Sequence, residues 1–198
     1  MMKWLFLIFT GLSMNAHAES AQEKAIFAGG CFWCIEAELQ ELPGVKAAIS
    51  GYTGGSIPNP TYELIGRGDS GHVEAVEITY DPKQITYERL LDVFWSNIDP
   101  TDDGGQFHDR GSQYRTAIFY LNENQKLFAE ASKMKVQAML EKAIATEVLP
   151  AKPFFAAEDY HQDYYKTSPL RYNAYKYGSG RGATLERVWQ GKRPVDKE

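Results

Sequence analysis

The order of apolar and polar positions predicts alternating strands and helices. A short apolar run at 25–28 reads as a strand running into Gly29-Gly30, and helical spacing follows as far as Leu42-Pro43-Gly44. Residues 45–52 read as a second strand. Turn-forming residues at 53–60, one helical turn at 62–65 and a glycine-rich loop at 66–71 come next. Residues 73–80 alternate with period two until Asp81-Pro82, and Thr86 is placed to cap a helix over 87–97. A long polar loop spans 99–111, and 114–121 reads as another strand. Asn122 with Gln125 forms a capping-box pattern for a helix reaching about Lys142, and 144–149 is the last clear strand. The first six elements match the split βαβ order of ferredoxin-like domains. The expected architecture is a single-domain α+β two-layer sandwich with a ferredoxin-like βαββαβ core and a mixed sheet.

The first residues change the picture of where the chain works. Lys3, an apolar run over 4–9 and Ala16-His17-Ala18 have the layout of a secretory signal peptide over residues 1–18. The run is far shorter than the about 20 apolar residues of a bilayer span. The expectation is an exported protein of residues 19–198, in the periplasm if the cell is bacterial, with no stable membrane association after cleavage. Without Lys3 the mature chain carries 20 basic against 26 acidic residues. No basic stretch stands out for phosphate contacts, so a nucleic-acid role is not expected.

Both cysteines of the chain, Cys31 and Cys34, flank Phe32 and Trp33 directly after the glycine turn. A cysteine at the start of a helix meets unpaired N–H groups and the positive end of the helix dipole. These favour its thiolate, the nucleophilic form. Cys31 is therefore expected to be a reactive thiol, the alternative being two small side chains packed in a core. A zinc site would need two more ligands from His72, His108 and His161, and no paired Cys/His spacing supplies them. A close thiol pair in an oxidising compartment needs a dedicated reductant if it is to act catalytically.

Within 73–80, Glu74 shares its parity with Val76, Ile78 and Tyr80 and so is aimed at the apolar side. Burial raises a carboxyl's pKa and makes it a proton donor, although a strand-end glutamate could also reach solvent. Tyr62 and Tyr114 border polar or glycine-rich loops, where a phenol either points into a pocket or packs. Asp109 lies in the long loop, where it either orients a neighbour or is solvated. Phe32 and Trp33 are either core or an apolar wall around the thiol. Gly66-Arg67-Gly68-Asp69-Ser70-Gly71 fits a dinucleotide fingerprint in spelling but precedes a strand instead of opening a helix after one. The Arg-Gly-Asp inside it is a chance match, and Asn59-Pro60-Thr61 is barred from glycosylation by its proline.

Taken together, several pieces resemble the A-type peptide methionine sulfoxide reductases. They are Gly30-Cys31-Phe32-Trp33, Gly51-Tyr52 with Gly54-Gly55, Pro58-Asn59-Pro60-Thr61-Tyr62 and Gly71-His72-Val73-Glu74. Further on come Tyr80-Asp81-Pro82, Phe94-Trp95, Asp109-Arg110-Gly111-Ser112-Gln113-Tyr114-Arg115 and Ala157-Glu158-Asp159-Tyr160-His161-Gln162. The pieces stand in the family's order across 24–172. The resemblance implies that Cys31 attacks the sulfoxide sulfur, Glu74 protonates the sulfoxide oxygen, and Tyr62 and Tyr114 hydrogen-bond it. It further implies that Asp109 supports that network and that Phe32 and Trp33 receive the substrate methyl group. It implies reduction of the S epimer, protein-bound or free, through a sulfenic acid on Cys31. No cofactor is implied beyond an external thioredoxin-like dithiol.

Two departures matter. Many members have glycine at the position of Cys34 and keep resolving cysteines near the C-terminus, whereas 172–198 holds none here. Cys34 is thus the internal candidate for the resolving thiol, the alternative being an external thiol acting on the sulfenic acid. Residues 103–108 also differ from the family's usual Asn-Arg-Gln-Gly-Asn run and could change the pocket rim. The rival readings are a general thiol–disulfide oxidoreductase and a module that only binds oxidised methionine.

Overall fold

The computed structural model describes residues 21–195, and the expected signal peptide lies outside them. In chain order the elements are β1 (Glu23–Gly29), α1 (Phe32–Gln40), β2 (Val45–Thr53), α2 (Tyr62–Gly66), β3 (Val73–Tyr80) and α3 (Tyr87–Ser96). Next are β4 (Gly105–Gln106), β5 (Asp109–Arg110), β6 (Thr116–Tyr120), α4 (Glu123–Leu140), β7 (Glu147–Pro150) and β8 (Phe155–Ala156). The chain closes with α5 (Tyr164–Thr167), α6 (Pro169–Gly178) and α7 (Arg181–Trp189). The main sheet has the order β7-β6-β1-β3-β2-β8, with β4-β5 as a separate small hairpin. All its pairings are antiparallel except β6 with β7, which makes the sheet mixed and the protein a single α+β domain.

Local chemistry fixes many of these boundaries. The Thr61, Thr86 and Asn122 side chains each accept from the backbone N–H three residues on, at 3.3, 3.2 and 2.9 Å. Gln125 departs from the capping-box expectation. Its Oε1 accepts from Leu121 N–H, and its Nε2 donates to Lys24 O, tying α4 to β1. The polar loop is less irregular than its sequence reads, because β4 and β5 pair within it. Tyr114 does not begin a strand; it closes a 3₁₀ turn over Ser112–Tyr114, after which β6 starts at Thr116. Gly111, at φ 127°, supplies the sharp entry to that turn.

Helices α1, α3 and α4 pack on one face of the sheet. Phe27, Val76, Ile78, Tyr80 and Ile118 meet Phe32, Ile35, Leu39, Leu90, Phe94 and Ala129 in one continuous core. On the other face Ile26, Ala28, Val73, Ala75, Ala117 and Phe119 are covered by Leu149, Ala151 and Phe154. The face carrying α1 is also the one that Glu74 shares by parity with Val76 and Ile78.

Gly30 makes the step from β1 to α1 possible. Its φ is +79°, and a Cβ there would lie 2.5 Å from Cβ of the buried Gln106. Forcing an L-residue into that conformation costs about 1–2 kcal/mol before any clash is counted. Gly30→Ala is expected to lower stability by more than about 2 kcal/mol, measurable as a lower denaturation midpoint with unchanged m value. It is also expected to shift Cys31 and so to lower activity.

Candidate active site

Eight residues enclose a cavity of about 230 Å³: Cys31, Phe32, Trp33, Tyr62, Glu74, Asp109, Tyr114 and Tyr175. Seven of them are the residues singled out from the sequence, brought together from α1, α2, β3, β5 and the 3₁₀ turn. The eighth, Tyr175 on α6, belongs to a tyrosine-rich segment whose members sequence spacing could not tell apart.

Cys31 is the N-cap of α1, and Glu74 lies across the cavity floor, 2% exposed. The Phe32 N–H donates to Glu74 Oε2 at 3.1 Å, so the carboxyl sits on the first amide of the helix. Burial still pushes the Glu74 pKa up to about 8, against that hydrogen bond and with Asp109 and Cys34 adding in the same direction. At neutral pH Glu74 is therefore largely a protonated acid facing a thiol. The Tyr62 and Tyr114 phenols bond to one another, and burial raises both pKa values, so both remain neutral donors. Asp109 accepts from the Tyr175 hydroxyl, and Tyr175 also bonds the Cys31 sulfur.

The charge on the two thiols differs from the sequence expectation. Burial, the hydrogen bond to Cys34 and the Glu74 charge push the Cys31 thiol well above its ordinary value. Cys34 moves the other way, to about 6. The hydrogen bond from Cys31 leads, burial opposes it, and Arg181 and Lys176 add attraction. The helix terminus does not acidify Cys31, because burial outweighs it and the first amide of α1 donates to Glu74 instead of to the sulfur. Arg181 and Tyr172, which face Cys34, carry no sequence signal that marks them out.

The apolar wall is built from the C-terminal segment. Trp33 stacks on Tyr164 with ring centroids 4.0 Å apart, and its Nε1 donates to His161 Nδ1 at 3.1 Å. Gln162 clamps this segment to β2 through both backbone groups of Ser50, at 3.0 and 2.9 Å. Glu158 accepts from Tyr52 Oη at 2.8 Å and from Tyr62 N–H at 2.9 Å, which fixes the start of α2 beside the cavity. Among the described residues no group of three or more His, Cys, Asp or Glu side chains is arranged to hold a metal ion.

A thiol, a buried protonated carboxyl and two neutral phenols around one small cavity define a thiol-based reductase of an oxygen-bearing group. A family model described as peptide methionine sulfoxide reductase matches residues 23–193. Peptide methionine sulfoxide reductase MsrA of Bacillus licheniformis is 52% identical over 173 residues, covering 86% of this chain and 96% of that protein. Among solved structures, methionine sulfoxide reductase A of Corynebacterium diphtheriae is 34% identical at a TM-score of 0.69, covering 77% of this chain and 78% of that one. Reduced Mxr1 of Saccharomyces cerevisiae is 30% identical at a TM-score of 0.71, covering 75% and 86%. The chain belongs to the peptide methionine sulfoxide reductase family.

Proposed function

We propose that this protein reduces the S epimer of methionine sulfoxide, protein-bound or free, in repair of oxidised proteins. The observation that carries the reading is the convergence of Cys31, Glu74, Tyr62 and Tyr114 on one cavity walled by Phe32 and Trp33. The substrate methyl packs on Phe32 and Trp33 while the sulfoxide oxygen meets the Glu74 proton and the two phenols. Opposed apolar and donor walls admit one handedness at sulfur. Protonating the oxygen makes the sulfur electrophilic, and Cys31 attacks it as its own proton passes to the site. The net step turns the sulfoxide and the Cys31 thiol into methionine and a Cys31 sulfenic acid. Asp109 and Tyr175 hold the thiol and phenols in line.

Cys34 then resolves the sulfenic acid. Its sulfur bonds the Cys31 sulfur, water leaves, and a Cys31–Cys34 disulfide remains. Two electrons from an external dithiol return both thiols, and no metal or organic cofactor enters. Mxr1 has been solved in complex with Trx2, and the partner class for this chain is a thioredoxin-like dithiol. The ferredoxin-like split βαβ describes the frame, supported by the order β6-β1-β3-β2 and its antiparallel pairing. The signal-like residues 1–18 support export, to the periplasm in a bacterium.

The test is turnover of residues 19–198 on separated S and R epimers of a methionine sulfoxide peptide with a small dithiol. Methionine from the S epimer alone is expected. Disulfide exchange with no reduction of either epimer would promote the oxidoreductase reading instead.

A further inference from the structure

Arg181, at the start of α7, is 3% exposed, and its side chain is buried between α6, α1 and the polar loop. Its Nη1 donates to Asn97 O, and the guanidinium lies 4.4 Å from the Phe107 ring centroid. Its Nε and Nη2 are buried with no hydrogen-bond partner among the described residues. A buried guanidinium with two idle nitrogens is costly unless a negative charge faces it. The groups whose charge acts on Arg181 are Cys34 first, then Cys31 and the phenols of Tyr175 and Tyr172. The phenols are held neutral by burial, and Cys31 is held as a thiol. Cys34, fully buried beside it, is the group left to carry the charge.

We propose that Arg181 is a positioning residue whose charge keeps Cys34 as the thiolate that attacks the Cys31 sulfenic acid. This rests on the reading of Cys34 as the resolving thiol. In that step the Cys34 sulfur forms the S–S bond, the Cys31 S–O bond breaks, and the departing hydroxide takes a proton and leaves as water. Sulfenic sulfur is the acceptor of the electron pair, and no further oxidant is needed. A thiolate held ready inside the protein acts without waiting for a proton to leave a buried site.

The other charged and titratable groups around Cys34 have different tasks. Lys176 on α6 adds positive charge but is already paired with Glu38 of α1 at 2.7 Å. The Tyr172 hydroxyl, without an oxygen or nitrogen partner among the described residues, interacts with the Cys34 sulfur. Cys31 hydrogen-bonds the Cys34 sulfur and is the largest influence on it, Glu74 of β3 is coupled to Cys34 by charge, and Tyr175 stands between Cys31 and Asp109. Arg181 is the cation of this set with nitrogens that no hydrogen bond occupies among the described residues, and it acts on Cys34 through its charge.

The test begins in a Cys31→Ser background, where Cys34 is the sole thiol and its thiolate absorbance can be titrated alone. Adding Arg181→Gln is expected to raise the titration by about one pH unit or more, a tenfold loss of thiolate at the former midpoint. Arg181→Lys should restore most of it. An unmoved titration in Arg181→Gln overturns the proposal. In otherwise wild-type protein without reductant, Arg181→Gln should leave first-turnover methionine release near the parent rate. It should slow the loss of two mass units that marks the disulfide, and shift that step's pH dependence upward.

Failure of the resolving reading looks different. The wild-type protein would then never lose two mass units, which overturns the resolving role of Cys34 whatever the titration shows. If Arg181→Gln does not fold, the pairing is read from melting temperatures. With the anion already removed by Cys34→Ser, Arg181→Met should raise the melting temperature, whereas in the parent it should lower it. A drop in both backgrounds overturns the pairing.

Discussion

Cys31→Ser is expected to abolish methionine formation from the S sulfoxide while leaving the fold and the binding of sulfoxide peptides intact. The side chain sits at the N-cap of α1, 6% exposed, and serine fits the same space and satisfies the same cap position. What serine lacks is a sulfur that can bond the sulfoxide sulfur and then carry the oxygen as a sulfenic acid. Turnover should fall to the background of the small dithiol, and peptide affinity should change little. A protein that only recognised oxidised methionine would show the same affinity in both forms and no turnover in either. Cys34→Ser separates the later step. One equivalent of methionine should still appear without reductant, and intact mass should show a stable gain of one oxygen instead of a loss of two hydrogens.

Glu74→Gln is expected to lower kcat/KM by about 10²–10⁴-fold, the usual contribution of a positioned general acid. Glutamine keeps the acceptor for the Phe32 N–H but has no proton to give the sulfoxide oxygen. The pH profile carries the same information. As the proposed general acid Glu74 must be protonated to act, and its pKa is raised to about 8. Activity should therefore hold below that value and fall as pH rises through it, and this limb should vanish in Glu74→Gln. The sign for stability is the opposite of the sign for catalysis. In the unfolded chain this glutamate ionises near its ordinary value of 4.5, so its burial costs stability as pH rises from there towards about 8. The neutral variant is expected to gain on the order of 3 kcal/mol at pH 7, seen as a higher denaturation midpoint beside the loss of activity. A general thiol–disulfide oxidoreductase needs no buried acid, and its exchange rate would survive the substitution.

What the chain determined by itself is what short-range physics writes into it. Period-two alternation in β3 placed Glu74 on the same face as Val76 and Ile78, the one α1 covers, because successive strand residues face opposite ways. Thr86 and Asn122 marked helix starts through side-chain oxygens that reach an amide three residues away. Gly29-Gly30 marked the turn that delivers Cys31 to the head of α1, and two cysteines three apart on one helix marked the chemistry. From pattern alone Tyr62, Tyr114 and Asp109 were legible only as loop-bordering polar groups, and it was the family resemblance that implied their place around the substrate of Cys31.

The tertiary structure decided the rest. Tyr175 and Arg181 stand far along the chain from Cys31 and meet the two thiols only because α6 and α7 fold back over α1. Nothing local distinguishes Tyr175 among 12 tyrosines or Arg181 in a basic, glycine-rich tail. The protonation of the pair was also beyond the sequence. A helix start favours a thiolate at Cys31 by a local rule, yet burial raises Cys31 while the hydrogen bond from Cys31, with the cations Arg181 and Lys176 adding to it, lowers Cys34. Desolvation and Coulomb forces depend on distances in space, and those exist only once the chain has folded.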